Sequence, residues 1–306
     1  MKTSSALRRS LRSLHTPLVT QHNRPQLAPR RIELDTTVPG IRLSTTSSNH
    51  DTPKSSVDPT EVSHFNALAS SWWDPHGPSR LLHLMNPLRH TFISRCRDSV
   101  PLSTSTPAKL RYLDIGCGGG IFAESAARLP TTASVTAIDP TPEVLKIAEA
   151  HKRRDPIIAA PGRLTYLNKS IEDLAVPTSP QEGYDIVSIF EVLEHVNAPG
   201  PFLEQAMQHV KPGGWLVLST IARTWTSWLV TNVVAEDVLG IVPKGTHEWS
   251  KYVNEKELRT WFRQRQWGRE GGMKTMGVMY LPGLGWKEVG GSEEWGNYFF
   301  AVRRDV

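Results

Sequence analysis

The sequence predicts a doubly wound α/β domain built on a mainly parallel sheet, and three observations carry that expectation. Five short apolar runs that read as strands alternate with helix-length segments across residues 109–220, the pattern of strand–helix–strand units. A glycine-rich turn joins the first run directly to the helix behind it. Every cluster of chemistry-bearing residues then falls at the carboxyl end of a run, which is where such sheets hold ligands.

The elements follow in order. Lys109-Leu-Arg-Tyr-Leu-Asp-Ile is the first strand, and after the turn Gly116-Cys-Gly-Gly-Gly120 a helix is expected over residues 121–129, with Phe122, Ala126 and Leu129 on one side. Ser134-Val-Thr-Ala-Ile-Asp139 is the second strand, and Pro142 stands near the start of a helix carrying Val144, Leu145, Ile147 and Ala148. Leu164-Thr-Tyr-Leu, Tyr184-Asp-Ile-Val-Ser-Ile-Phe190 and Trp215-Leu-Val-Leu-Ser-Thr220 read as the third, fourth and fifth strands, with a helix expected over 201–210. From Leu281 through Tyr298-Phe-Phe-Ala-Val302 the chain reads as the last strands. No internal repeat and no second domain boundary interrupts the body.

A formal charge of +5 suggests a basic protein only until it is located. The first 50 residues hold eight of the 35 Lys and Arg and two of the 30 Asp and Glu, so the remainder carries 27 basic against 28 acidic side chains. A nucleic-acid binder carries its basic excess on the folded domain, so that class is not expected. Cys96 and Cys117 are too few and too oddly placed for a disulfide framework or a CxxC metal site, and no apolar run is long enough to span a bilayer.

Met1 to Arg31 holds seven Lys and Arg and no acid, with Leu7, Leu11, Leu14 and Leu18 at helical spacing. This amphipathic, Arg- and Ser-rich make-up is that of a cleavable mitochondrial presequence. Residues 32–58, rich in Ser, Thr, Pro and Asp, read as a disordered linker, which leaves 59–306 as the folded domain.

Asp114-Ile-Gly116-Cys-Gly118-Gly-Gly120 lets the backbone approach a ligand closely. A dinucleotide fingerprint, GxGxxG, needs glycine at 121, where Ile121 stands; the observed GxGxG spacing favours S-adenosylmethionine, with Gly116 and Gly118 against the cofactor. Asp139 ends the second strand, where a carboxylate can accept ribose hydroxyls, whereas Asp114 reads equally as a carboxylate that fixes the loop through backbone N–H groups. Ser170-Ile-Glu-Asp173 follows the third strand near the expected adenine, although helix capping explains it nearly as well.

The fourth strand runs into Phe190-Glu191-Val-Leu-Glu194-His195. On a first helical turn, residues 191, 194 and 195 share a face. Two carboxylates and an imidazole there could hold a divalent cation, Mg²⁺ suiting the oxygens; His195 could instead be a general base toward a phenol, or the acids could simply complement a helix start.

With these residues in view, the chain resembles the ubiquinone-biosynthesis O-methyltransferases, the family of the mitochondrial hexaprenyldihydroxybenzoate type. The resemblance runs from Phe65-Asn-Ala-Leu-Ala69 and Trp72-Trp-Asp-Pro75 through Leu82-His-Leu-Met-Asn-Pro-Leu-Arg89, the glycine loop and Glu191-Val-Leu-Glu-His-Val196 to Lys211-Pro-Gly-Gly214 and Val242-Pro-Lys-Gly-Thr-His247. It implies a seven-stranded class I methyltransferase sheet, Rossmann-like in winding, and O-methylation of polyprenylated catechols at two steps of ubiquinone synthesis: a 3,4-dihydroxy-5-polyprenylbenzoate and a later demethylubiquinol. It implies cofactor contacts at Arg89, Gly116, Asp139 and Phe190, and a divalent metal at Glu191, Glu194 and His195. A multiprotein biosynthetic complex on the matrix side of the inner membrane is implied as well. Arg89 fits a carboxylate as a bidentate fork, although without the family it reads as a surface arginine after an Asn-Pro turn. Residues 223–247, with Trp225 and Trp228, form an insertion that reads either as an interfacial membrane contact or as a lid helix, and 283–294 match the family poorly. A cofactor-binding scaffold of the complex, or a methyltransferase for another small acceptor, are the competing functions.

Overall fold

The five expected strands form, and three more join them. In the structure, a computed structural model that describes residues 55–100, 109–222, 253–269 and 271–306, β1 (Leu110–Ile115), β2 (Thr132–Asp139), β3 (Leu164–Asn168), β4 (Tyr184–Phe190) and β5 (Val210–Ile221) pair in parallel in the order β3-β2-β1-β4-β5. Strands β6 (Met273–Leu281), β7 (Gly285–Glu288) and β8 (Asn297–Arg303) extend this edge as β5-β8-β6-β7, each new pairing antiparallel. Among the described residues the sheet therefore has eight strands rather than seven. The additional one, β7, forms a hairpin with β6 inside the stretch that matches the family poorly. The expected presequence and the expected insertion at 223–247 lie outside the described residues.

Seven helices accompany the sheet among the described residues: α1 (Pro59–Leu68), α2 (Arg80–Asp98), α3 (Ile121–Arg128), α4 (Pro142–Lys152), the short α5 (Pro156–Ala159), α6 (Pro199–Gln208) and α7 (Glu255–Gln264). Alternate side chains of each strand point to opposite faces, and both faces are covered. Tyr112, Ile186, Val217, Phe299 and Ala301 meet Phe92 and Ile93 of α2 and Phe122 of α3 in one core. Leu113, Val187, Leu216, Leu218 and Phe300 meet Phe202 and Leu203 of α6 and Leu258 and Phe262 of α7 in the other.

Local chemistry sets the helix starts. Asp58 caps α1 by accepting the Thr60 N–H (2.9 Å), with Pro59 in the first turn. Asn254 and Glu257 form a reciprocal capping box at α7. The chain just before α1 is part of the domain: Ser56 is buried, its N–H donates to Glu172 Oε1 (3.2 Å) and its carbonyl accepts from the Asn197 N–H (3.2 Å). No helix among the described residues is long and apolar enough to cross a membrane.

Candidate active site

The glycine turn leaves β1 at the carboxyl rim of the parallel strands and is tied down by β2. Asp139 Oδ2 accepts the Gly118 N–H (2.8 Å), and its Oδ1 accepts the Thr141 N–H (2.8 Å). Burial raises the pKa of this carboxyl, against the pull of those two backbone donors. The loop-fixing role left open for Asp114 thus belongs to Asp139. Asp114 instead accepts the Ser188 hydroxyl (2.6 Å) from β4, and burial pushes its carboxyl up to about 7 against that hydrogen bond and the nearby Arg89.

Gly118 and Gly120 adopt φ of +51° and +85°, a region costly for residues with a Cβ. Their faces are also filled. A Cβ at Gly118 would run into the Trp72 indole, and one at Gly120 into the Tyr166 hydroxyl.

Arg89 is not the surface residue that an Asn-Pro turn suggests. Pro87 lies inside α2, and Arg89, a half-turn further, is 3% exposed. Its guanidinium stacks over Phe190 at 4.7 Å and donates to Asn86 Oδ1 (3.1 Å), while the Asn86 amide donates to the Ile121 carbonyl (3.0 Å) at the head of α3. Arg89 Nε is buried without a partner. Burial lowers the pKa of this guanidinium, with Glu191 and Asp114 opposing. A desolvated cation with an idle donor beside the glycine loop is the complement of an anionic ligand group.

The two tryptophans of Trp72-Trp-Asp-Pro75 serve this loop, a role that sequence reasoning did not assign. Trp72 is buried against Gly118 and Gly119. Trp73 Nε1 donates to the Gly119 carbonyl (2.9 Å), and its ring stacks on His151 (3.5 Å, 7°), which pairs with the fully buried Glu124 (2.9 Å). Trp73→Phe keeps a ring on His151 and removes the hydrogen bond. The expected result is a three- to tenfold loss of cofactor affinity, on the order of 1 kcal/mol for one hydrogen bond, read by calorimetric titration; unchanged affinity would show that the loop does not depend on this tie.

The metal set does not assemble as a helical turn would have it. Glu191 has φ +56°, and only residues 193–195 form a turn, of 3₁₀ type, so Glu191 does not share a helical face with Glu194 and His195. Each side chain has its own partner: Glu191 Oε1 accepts from Ser219 (2.6 Å), Glu194 Oε2 from Thr220 (3.0 Å), and His195 Nδ1 meets Glu61 Oε2 of α1 (3.0 Å). Among the described residues no three Asp, Glu, His or Cys side chains are grouped to share an ion. Burial, reinforced by Glu191, raises the pKa of Glu194; His195 is raised too, because Glu61, Glu194 and Glu191 outweigh its burial.

The glycine loop, Asp114, Asp139, Arg89, Glu191, Glu194 and His195 line one cavity of about 550 Å³ along the carboxyl rim. One end holds Gly116, Gly118, Asp139, Thr141 and Ile171; the middle holds Arg89, Phe190, Glu191, Glu194 and His195; the far end is walled by α2 and the β6–β7 hairpin.

Comparison with known proteins gives this geometry a context. Residues 88–268 match the family model described as a methyltransferase domain. The chain is 46% identical over 212 residues to the mitochondrial ubiquinone biosynthesis O-methyltransferase of Schizosaccharomyces pombe, covering 69% of this chain and 73% of that one. It is 39% identical over 288 residues to the mitochondrial protein of the same name from Candida albicans, covering 81% and 86%. The crystal structure of magnesium protoporphyrin IX methyltransferase from Synechocystis with bound SAH superposes with a TM-score of 0.53, at 16% identity, over 81% of this chain and all of that one; at that identity the likeness speaks for the fold.

Proposed function

The chain belongs to the ubiquinone biosynthesis O-methyltransferase family, and from that premise we propose that it methylates polyprenylated catechols, a 3,4-dihydroxy-5-polyprenylbenzoate and a later demethylubiquinol, in ubiquinone synthesis. It is an S-adenosylmethionine-dependent O-methyltransferase. The observation that carries the acceptor reading is the single cavity in which the glycine loop and Asp139 lead past Arg89 to an imidazole–carboxylate pair and then to an apolar wall.

In this reading Asp139 faces the cofactor's ribose while holding the loop, Gly116 and Gly118 admit its backbone-side contact, Phe190 supports Arg89, and the idle Nε of Arg89 meets the methionyl carboxylate. The reaction is an in-line displacement: the phenolic oxygen forms a bond to the methyl carbon as the sulfur–methyl bond breaks, leaving the neutral thioether. A phenol attacks well only after losing its proton. Glu61 on Nδ1 orients His195 and leaves its second ring nitrogen to take that proton.

The divalent cation that the family resemblance implies at Glu191, Glu194 and His195 finds no grouped ligand set among the described residues, and no step is derived through one. The basic, acid-free first 31 residues and the mitochondrial names of the fungal relatives support a mitochondrial address. Peripheral residence on the matrix side of the inner membrane, within a multiprotein complex, is part of the proposal. The near-neutral body supports no nucleic-acid partner.

The test is a methylation assay with a short-chain prenyl dihydroxybenzoate, run with added Mg²⁺ and with a chelator. No methyl ether in either condition sinks the reading, and a chelator-sensitive rate restored by Mg²⁺ would show that the three side chains rearrange around an ion. Cofactor binding also carries a proton signature. Burial pushes the Asp114 carboxyl up to about 7, and a cationic group of the cofactor against it favours its ionised form, so binding releases a fraction of a proton at pH 6. Calorimetry in buffers of different ionisation enthalpy reads this, and Asp114→Asn abolishes the release; uptake of protons at pH 6 would contradict the assignment.

A further inference from the structure

We propose that the cleft between the first half of α2 and the β6–β7 hairpin is the subsite for the acceptor's isoprenoid tail, an inference that rests on the function proposed above. Beyond Arg89 and Phe190 the cavity is lined by Leu81 and Met85 of α2 and by Val278, Tyr280, Pro282 and Trp286 of the hairpin. None of these six carries a charge, and the Tyr280 hydroxyl and the Trp286 N–H are both engaged outside the acceptor: Tyr280 accepts from Arg80 (3.5 Å) and Trp286 Nε1 donates to the Leu81 carbonyl (2.9 Å). What remains facing the cleft is hydrocarbon and aromatic surface, which a branched apolar chain fills at the expense of water.

The wall is fastened to the helix. Tyr280 and Trp286 face each other across the hairpin, ring centroids 5.7 Å apart at 62°, and the Trp286 hydrogen bond fastens that pair to α2. Arg95 of α2 holds Glu288 at the end of β7 through two contacts of 2.7 and 2.8 Å. The strand that the family resemblance did not foresee is thereby held against α2 at two points.

A cavity of about 550 Å³ that also takes the cofactor cannot enclose a tail of many isoprene units, so the tail needs an apolar way out. Leu284, at the hairpin turn two residues before Trp286, is 67% exposed, and Leu84, one helical turn beyond Leu81, is 39% exposed. They are two of five large hydrophobic side chains exposed among the described residues, and both flank the Leu81–Trp286 tie. A tail leaving between them keeps apolar contact to the surface.

The test compares kcat/KM for an unprenylated dihydroxybenzoate with that for its one- and four-isoprene homologues in the same detergent, using the full chain. For the unmodified protein the ratio of the four-isoprene to the unprenylated acceptor is expected to be tenfold or more. Leu81→Trp, which fills the cleft, and Leu284→Asp, which charges the outlet, are each expected to cut that ratio at least fivefold, chiefly through KM for the tailed acceptors. Calorimetric affinity for S-adenosylmethionine, read in parallel, reports whether the cofactor end is intact, and Leu284, already exposed, keeps the test decisive if Leu81→Trp does not fold. The subsite is overturned if both folded variants keep the unmodified ratio, or if they lower tailed and untailed acceptors equally. Methylation by the unmodified protein with no preference for a tail removes the subsite and leaves the function standing; no methylation of any acceptor removes both.

Discussion

Replacing Arg89 with Ala is expected to weaken S-adenosylmethionine binding by about two to three orders of magnitude. Among the described residues the guanidinium is buried, stacked on Phe190 and hydrogen-bonded to Asn86, with Nε idle, so its cost of desolvation has already been met in the free protein and the ligand carboxylate finds a donor that need not shed water. Truncating one partner of such a buried charge pair costs about 2–5 kcal/mol, each 1.4 kcal/mol being tenfold. Arg89→Lys recovers only part of the loss, because a point charge reproduces neither the planar stack nor the fork. Calorimetric titration beside a thermal melt decides: affinity within threefold of the parent in a folded Ala variant would remove Arg89 from the cofactor site.

Gly120→Ala is expected to be the most damaging single methyl in the loop. At φ +85° a Cβ costs about 1–2 kcal/mol, and the same atom collides with the Tyr166 hydroxyl, adding about 1–3 kcal/mol of overpacking. For a domain of this size the sum lowers Tm by roughly 5–15 °C. Tyr166→Phe tests the division between the two causes. The Tyr166 hydroxyl is buried without a partner, so removing it alone does little harm, and in the Gly120→Ala background it restores the steric part and leaves the backbone part. If the double variant melts no higher than Gly120→Ala, the collision is not the cause.

The central parallel strands were legible because β1, β4 and β5 are buried on both faces, which turns each into a near-continuous apolar run; β4 is found at the residues expected, Tyr184–Phe190. Strand β6 was not, because Lys274, Thr275 and Gly277 interrupt its apolar run. Helix α7 escaped for another reason: five charged residues among its ten mask a narrow stripe of Leu258, Trp261 and Phe262. In the site, the glycine loop, Asp139 and the Glu-x-x-Glu-His cluster were visible as residues at strand ends. Their partners were not, because Trp73 finds Gly119 and His151, and Glu61 finds His195, across gaps of 46, 78 and 134 positions that no local spacing encodes.

The sequence by itself determined the strand–helix alternation, the ligand rim, the GxGxG loop and the near-neutral body behind a basic N-terminal segment, since each depends on periodicity, on backbone freedom at glycine or on composition, all of them local properties. Only the tertiary structure decided how those residues work together. It buried Arg89 by carrying Pro87 inside a helix, gave the loop to Asp139 rather than Asp114, took Glu191 out of the turn that carries Glu194 and His195 through a left-handed backbone, and walled the far end of the cavity with an eighth strand. Each of these follows from long-range packing and desolvation, which depend on what the folded chain places against a residue rather than on its neighbours in sequence.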